Sequence, residues 1–194
     1  MKLQRLFQSI GLLLKRGAYD RGLYLRRKRI FGLVGKNVRF QPRLIPLYPE
    51  LIRLHDNIMI AAGVRFLTHD AAQRVLNNLG IGTFPEKVGC IEVMDNVFIG
   101  YNVTILPNVR IGNNVIIGAC STVTKDLEPN GVYVGTPAKR VGSFDDYIQK
   151  RAALPNGDFA YPYVKHNQAI SEEEISRAWQ MFDAERTEKQ ESRA

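Results

Sequence analysis

The sequence predicts an all-β solenoid with helical extensions at both ends, and three observations support this fold class. Aliphatic residues recur at every sixth position from Val93 to Val123. Glycine and asparagine residues fall between them, where tight corners are needed. Residues 1–33 and about 171–184 instead carry apolar side chains at helical spacing. We therefore predict a repeat domain over residues 34–142 between two extensions.

The repeat is the most specific of these signals. Val and Ile account for 31 of the 194 residues. They nevertheless fill every position of one series: Val93, Ile99, Ile105, Ile111, Ile117 and Val123. A period of six matches neither an amphipathic helix nor a simple alternating strand. It matches short strands that each bury a β-branched side chain, with successive coils stacked on one another.

The run IGYNVTILPNVRIGNNVIIGACSTVTKD, which begins at Ile99, resembles the hexapeptide-repeat acyltransferases. Within that family the resemblance is to the O-acetyltransferases of maltose, galactosides and capsular polysaccharides. It implies a left-handed parallel β-helix with three strands per coil, assembled as a homotrimer. It also implies acetyl-CoA as the acyl donor, a saccharide hydroxyl as the acceptor, direct transfer, and no metal.

A loop insertion over residues 67–92 interrupts the repeat, and its length favours a functional role. It opens with Thr68, His69 and Asp70. In the resembled family a histidine on such a segment is the general base, and imidazole suits removal of a hydroxyl proton. The resemblance therefore implies catalytic roles for His69 and for Asp70, which would orient the base or contact substrate. Capping of a local turn remains an alternative for Asp70.

The resemblance also implies a donor site and an acceptor pocket. Phe98 would wall the acceptor pocket, with Glu92 beside it as an alternative acid. The backbone amide of Tyr101 would donate to the developing oxyanion. Basic side chains near the end of the repeat would neutralise the nucleotide phosphates. The implied coenzyme A contacts are Gly100, Tyr101, Ala119, Thr124, Lys125, Lys139 and Arg140.

Positive charge is concentrated at the N-terminus. Residues 1–43 contain twelve Lys and Arg against one acid, a charge of +11, whereas residues 44–194 carry −3. We expect this arm to contact an anionic membrane, an anionic substrate or a partner subunit, or to form the solvated face of a capping helix. Nucleic acid is not expected, because no recognition motif accompanies the charge.

The remaining composition narrows the function classes. Residues 143–194 form a C-terminal extension. Neither this extension nor the rest of the chain contains an apolar run long enough to span a bilayer. Without a signal peptide pattern, we expect a cytoplasmic protein, peripheral at the inner membrane face. The two cysteines and the three histidines show no metal-ligand spacing, which argues against the carbonic anhydrases that share this repeat.

Two alternatives to a saccharide O-acetyltransferase remain open. One keeps the enzyme but changes the acceptor to an amine on an amino sugar or a drug. The other is a non-catalytic β-helix that serves as a scaffold subunit and does not bind coenzyme A. A thermal shift with acetyl-CoA separates the second from the first, since a ligand of the folded state raises the melting temperature.

Overall fold

A computed structural model describes residues 2–152 of the chain, together with 172, 173, 175–177, 179, 180, 182 and 183. The chain divides into two units, Met1–Ile148 and Gln149–Ala194. The described residues of the second unit are helical. The helix predicted at about 171–184 falls partly on them, and its other positions lie outside the described residues.

Three sheets with parallel strands form the body of the first unit. Sheet A contains β1 (Leu33–Val34), β3 (Ile52–Leu54), β8 (Ile91–Val93) and β11 (Val109–Ile111). Sheet B contains β2 (Val38–Phe40), β4 (Ile58–Ile60), β9 (Val97–Ile99), β12 (Val115–Ile117), β14 (Gly131–Val134) and β15 (Lys139–Ser143). Sheet C contains β5 (Arg65–Phe66), β10 (Thr104–Ile105) and β13 (Thr122–Val123). From β3 to β13, each coil adds one strand to each sheet in turn, so the predicted stack of short parallel strands is confirmed.

The six-residue repeat supplies the core of these coils. All six side chains of the series from Val93 to Val123 are fully buried, at 0% exposure. The parallel register places Ile60, Ile99 and Ile117 side by side in consecutive strands of sheet B. Burial of each such side chain stabilises the folded state by roughly 1.5–3 kcal/mol. The period of six is therefore the distance between equivalent inward positions on neighbouring sides of the coil.

One corner of the coils carries a ladder of asparagine side chains. Each amide nitrogen donates to the amide oxygen of the next coil at 2.8–2.9 Å. All five residues have φ between 52° and 60°, a conformation that asparagine tolerates better than most residues. The members are Asn37, Asn57, Asn96, Asn114 and Asn130. The ladder satisfies polar groups at the turns and fixes the spacing between coils.

Two N-terminal helices, α1 (Lys2–Leu13) and α2 (Ala18–Arg27), precede the first coil. Leu12 and Leu25 are fully buried and join the hydrophobic core. Arg21 is also buried, and its Nε donates to the carbonyl of Phe40 at 2.8 Å, which ties α2 to sheet B. In the part of the chain that the structure describes, no helix is long and apolar enough to cross a membrane.

The last strand and the helix after it depart from the repeat. Strand β15 turns back antiparallel to β14. Helix α4 (Phe144–Ala152) follows, and the sequence analysis missed it. A signal was present, because the Ser143 hydroxyl accepts a hydrogen bond from the Asp146 amide at 3.0 Å, in the pattern of a helix N-cap.

The loop insertion has secondary structure of its own. Strand β6 (His69–Asp70) pairs antiparallel with β7 (Lys87–Val88), and α3 (Gln73–Asn77) lies between them. The chain rejoins sheet A at Ile91, so Glu92 is a strand residue rather than part of the loop. Residues 67–90 thus leave the coil and return to it through a narrow two-stranded base.

Candidate active site

The base of the loop is fixed to the coil by backbone contacts around Thr68. The buried Thr68 hydroxyl donates to the carbonyl of Leu47, and the Gly89 amide donates to the carbonyl of Thr68 at 2.9 Å. Farther out, the Asn77 side chain bonds both the amide and the carbonyl of Phe84, at 2.7 and 3.1 Å. These bonds hold the loop in one conformation, which a catalytic side chain requires.

His69 lies at this base, half-buried. Its ring meets the Tyr48 ring edge-on, with centroids 5.8 Å apart and planes at 89°. Its Nδ1 atom is buried and has no hydrogen-bond partner among the described residues, and the same is true of Oε1 of Gln73 in α3. The structure therefore places the predicted base on an ordered element, with one nitrogen enclosed by protein.

Tyr48 is a further candidate residue, which was not predicted from the sequence, because its ring contacts that of His69. Its backbone is left-handed, with φ 49° and ψ 56°, at the start of a short 3-10 helix, Pro49–Leu51. The hydroxyl bonds both carboxylate oxygens of Glu86 at 3.2 Å. Partial burial raises the pKa of Tyr48, and the negative charge of Glu86 raises it further. Strain at a non-glycine residue often marks a functional position, and here it holds an aromatic ring against His69.

Asp70 is exposed, and its Oδ1 accepts a hydrogen bond from the Ala72 amide at 2.8 Å. That is the turn-capping geometry named above as the alternative for this residue. The cap shapes the chain between β6 and α3. A role for Asp70 in orienting His69 or contacting substrate stays a prediction.

Glu92 points outward from sheet A into a cluster of three basic side chains. Its Oε1 lies 3.1 Å from Nε2 of His55 and 3.7 Å from Nη1 of Arg53, while its Oε2 accepts from Nε of Arg110 at 2.8 Å. The hydrogen bond with His55 is the main cause that lowers the pKa of Glu92, and Arg110 adds to it against the effect of burial. The His55 side chain is itself partly buried in this pairing. A place for Glu92 in the acceptor pocket stays a prediction.

Phe98 lies on the outer face of sheet B and is 38% exposed. Its register neighbours in the adjacent strands are Met59 and Ile116, both apolar and partly buried. The corresponding outward side chains of sheet A are Arg53, Glu92 and Arg110. The middle strands of sheet B, β4, β9 and β12, therefore present an apolar outer surface, with Arg39 of β2 at its end, where sheet A presents a charged one.

The predicted oxyanion corner is closely packed. A Cβ atom on Gly100 would lie 2.7 Å from the backbone nitrogen of Ala119 in the next coil, so only glycine fits there. Tyr101 follows, with its side chain 55% exposed and its carbonyl accepting from the Cys120 amide at 2.8 Å. The structure thus brings Gly100, Tyr101 and Ala119 together at one corner of two consecutive coils.

Four more predicted residues line one open cleft of about 870 Å³. They are Thr124, Lys125, Lys139 and Arg140. Lys87 of strand β7 also lines this cleft, and the β6–β7 register places it opposite Asp70. Cations outnumber the two acids of the lining, Asp126 and Glu128, so the cleft suits an anionic ligand.

Lys87 was not predicted, since its approach to the cleft depends on how the loop folds back.

Among the described residues, no cluster of three His, Cys, Asp or Glu side chains could hold a metal ion. The third histidine, His166, lies outside the described residues. The described candidates thus fall into three groups, at the loop base, at the glycine corner and along the cationic cleft, while Glu92 and Phe98 lie apart on the outer faces of sheets A and B.

Known proteins resemble the repeat region. Residues 91–125 match the family model described as bacterial transferase hexapeptide (six repeats). Galactoside O-acetyltransferase of Escherichia coli K12 is 33% identical over 115 residues, covering 58% of this chain and 54% of the relative. Protein CapG of Staphylococcus aureus is 40% identical over 117 residues, covering 57% and 62%. The chain therefore spans between half and two thirds of the length of these curated relatives.

Solved structures show the same fold. A hexapeptide-repeat acetyltransferase from Vibrio cholerae superposes with a TM-score of 0.54 at 21% identity, covering 73% of this chain and 89% of that one. A maltose O-acetyltransferase from Clostridium difficile gives 0.53 at 27% identity, covering 73% and 84%. The resemblance to the hexapeptide-repeat acetyltransferases is thereby confirmed.

Proposed function

We propose that this protein is an acetyl-CoA-dependent O-acetyltransferase that modifies a saccharide hydroxyl, with His69 as the general base. One observation carries the proposal. The β6–β7 ladder joins the strand that holds His69 to the strand that holds Lys87, and Lys87 lines the cationic cleft. A base and an anion-binding cleft thus share one rigid element. The acetyltransferase names of the relatives and of the solved structures support the same reaction class.

His69 takes the proton of the acceptor hydroxyl as its oxygen attacks the acyl carbonyl, because a neutral hydroxyl is a poor nucleophile. Acetyl-CoA supplies an activated thioester. The Tyr101 amide donates to the carbonyl oxygen as negative charge develops there. Protonated His69 then returns the proton to the leaving thiolate, so the side chain ends the cycle neutral. Asp70, exposed beside the base, is the proposed contact to the acceptor.

The donor is proposed to lie from the glycine corner to the cationic cleft. Gly100 lets the next coil pack closely at this corner, and Ala119 is a small exposed residue beside which an extended chain can lie. Lys125, Lys139 and Arg140 offset the charge of the nucleotide phosphates, with Thr124 beside them. These residues fit a long ligand with a polyanionic end, which is the chemistry of coenzyme A.

The acceptor is proposed to be a surface polysaccharide sugar of the capsular, lipopolysaccharide or exopolysaccharide type. Phe98 offers an exposed aromatic face on which a sugar ring can pack. Glu92 lies on a different sheet, where Arg110, Arg53 and His55 contact its carboxylate, so we propose Phe98 rather than Glu92 as the acceptor contact. An amine acceptor on an amino sugar or a drug remains the alternative, as does a non-catalytic scaffold role.

We further propose a left-handed β-helix assembled as a homotrimer. Exposed apolar side chains on two surfaces support an assembly: Phe98 on sheet B, and Val75, Leu79 and Ile81 on the loop. An assembly would cover these side chains, which are otherwise in water. Light scattering after size-exclusion chromatography should give three chain masses.

Contact with an anionic membrane, at the inner membrane face of the cytoplasm, is proposed for the basic arm over residues 1–43. Helix α1 supports it with an exposed apolar row of Leu6, Phe7, Ile10 and Leu13. The opposite side is held by buried Leu12 and by the Tyr24 hydroxyl, which donates to the carbonyl of Gln8 at 3.2 Å. An apolar face within a segment of charge +11 is the pattern of an interfacial helix.

Vesicle sedimentation tests the membrane contact. The protein should bind vesicles containing phosphatidylglycerol and not vesicles of phosphatidylcholine alone, and Phe7→Glu should abolish the binding. Leu44→Glu, at an equally exposed leucine beyond the arm, is the control. Equal sedimentation of wild type and Phe7→Glu would refute the contact.

The reaction itself is tested by acetyl transfer to a panel of saccharides, amino sugars and drugs, followed by mass spectrometry of the product. Wild type should acetylate a saccharide hydroxyl. His69→Ala should lose transfer by about 10²–10⁴-fold while keeping the thermal shift with acetyl-CoA. Near-normal turnover in His69→Ala would overturn the mechanism, and no thermal shift in wild type would favour the scaffold role.

A further inference from the structure

Two polar atoms of the loop are buried without a hydrogen-bond partner among the described residues. They are Nδ1 of His69 and Oε1 of Gln73. The two residues lie four positions apart, one in β6 and the other at the start of α3. Buried polar groups are normally paired, so each unpaired atom calls for a physical explanation.

The two atoms have complementary chemistry. A histidine that acts as a base through Nε2 must carry its proton on Nδ1, and that N–H then needs an acceptor. An amide oxygen is an acceptor with two lone pairs. Gln73 is also the partly buried residue of α3, whereas Arg74, Val75, Leu76 and Asn77 are exposed.

Other neighbours of His69 are engaged elsewhere. The Asp70 carboxylate is exposed and caps the turn through the Ala72 amide. Tyr48 presents the edge of its ring to His69, and its hydroxyl bonds Glu86. The β6–β7 pairing holds the backbone of His69, and the Asp70 cap shapes the turn that leads from it to Gln73.

We infer that Gln73 is the positioning residue of the base, and that its side-chain amide oxygen accepts a hydrogen bond from the Nδ1–H of His69. The inference rests on the proposed function and goes beyond it. A bond between the two side chains would satisfy both buried atoms at once. The bond favours the tautomer of His69 that carries its proton on Nδ1, which leaves the lone pair of Nε2 free to take the substrate proton. A neutral acceptor orients the ring without placing a second negative charge beside it.

The test reads the tautomer directly. In protein labelled with ¹⁵N-histidine, the three histidines are few enough to resolve, and His69→Ala assigns the signal. At a pH well above 7, where imidazole is neutral, wild-type His69 should be protonated on Nδ1. Gln73→Leu, similar in size but without an acceptor, should shift the ring toward the Nε2–H form. Gln73→Glu, which keeps an acceptor, should retain the Nδ1–H form.

Kinetics give the second readout. Gln73→Leu should lower kcat about tenfold with KM for acetyl-CoA unchanged, because the misoriented base affects the transition state and not binding of the donor. Gln73→Glu should restore much of kcat and move the acid limb of the pH profile upward, since a carboxylate favours the protonated ring. Asn78→Ala, an exposed amide at the end of α3, is the matched control and should change neither tautomer nor rate.

The two proposals fail separately. An unchanged tautomer and an unchanged kcat in Gln73→Leu would overturn the positioning role and leave the acetyltransferase standing. The opposite outcome is also possible. If Gln73→Leu shifts the tautomer of His69 but the wild-type protein transfers no acetyl group, the positioning role is supported and the proposed reaction is overturned.

Discussion

The coil and the loop that leaves it differ in how they bury apolar side chains and pair polar atoms. In the coil, the repeat side chains from Val93 to Val123 are wholly buried, and neighbouring coils are joined by backbone and asparagine hydrogen bonds. In the loop, Val75 and Ile81 are 67% and 74% exposed, and two buried polar atoms lack partners among the described residues. The coil satisfies its groups by repetition, whereas the loop keeps unsatisfied groups beside the proposed base. The buried repeat therefore accounts for stability, whereas the proposed base lies on the segment that leaves it.

The largest expected effect breaks the coil. Ile105→Ala removes a fully buried side chain from β10, which pairs with strands on both sides, and should cost about 3 kcal/mol of unfolding free energy. Val75→Ala, on the exposed loop, should cost less than about 0.5 kcal/mol. Urea denaturation followed by circular dichroism measures both. Similar losses in the two variants would contradict the contrast between coil and loop.

Replacing residues 71–86 by Asn-Gly tests whether the loop is separable. A two-residue turn suits the antiparallel β6–β7 pair, so His69 and Lys87 are retained. The melting temperature should stay close to that of wild type. Acetyl transfer should fall about 100-fold, because the base loses the contacts that fix its geometry. A shortened protein that turns over normally would show that the loop beyond its base is dispensable.

The cationic cleft should show a smaller effect, confined to the donor. The double change of Lys125 and Lys139 to Ala should raise KM for acetyl-CoA about tenfold and leave kcat unchanged, since one tenfold step needs only about 1.4 kcal/mol. Arg26→Ala, an exposed cation of α2, is the control. An unchanged KM in the double variant, measured at low salt, would place the donor elsewhere.

The smallest effect concerns Glu92 on the outside of the coil. Because its folded pKa lies below the usual value of 4.5, its ionised form stabilises the fold above that pH and ceases to do so as pH falls through the lower folded pKa. Glu92→Gln should therefore lower the free energy of unfolding at pH 7. The loss should be no more than about 1 kcal/mol, because the arginines that contact Glu92 are largely exposed. The difference between the variants should vanish at strongly acidic pH. A difference that grows on acidification would have the wrong sign.

Much of the site could be read from local sequence, and the rest could not. The break in the repeat indicated where His69 leaves the coil, and the residues after Val123 indicated the cationic cleft. Tyr48 and Glu86 could not be found this way, because they lie 21 residues before and 17 residues after His69 with no motif of their own. Lys87 escaped notice for the same reason. Helix α4 was missed although Ser143 offered a local capping signal.

The repeat alone determined that short parallel strands would stack with Val and Ile inside, because a period of six leaves no other way to bury one β-branched side chain per strand. It also determined the glycine and asparagine corners, since few other residues accept their backbone. Only the tertiary structure decided which outward side chains meet, namely the apolar row on sheet B, the Glu92 cluster and the contact of Tyr48 with His69. The reason is physical: burial periodicity is local in sequence, whereas a functional surface is assembled from outward positions whose spacing in the chain is set by coils and loops of unequal length.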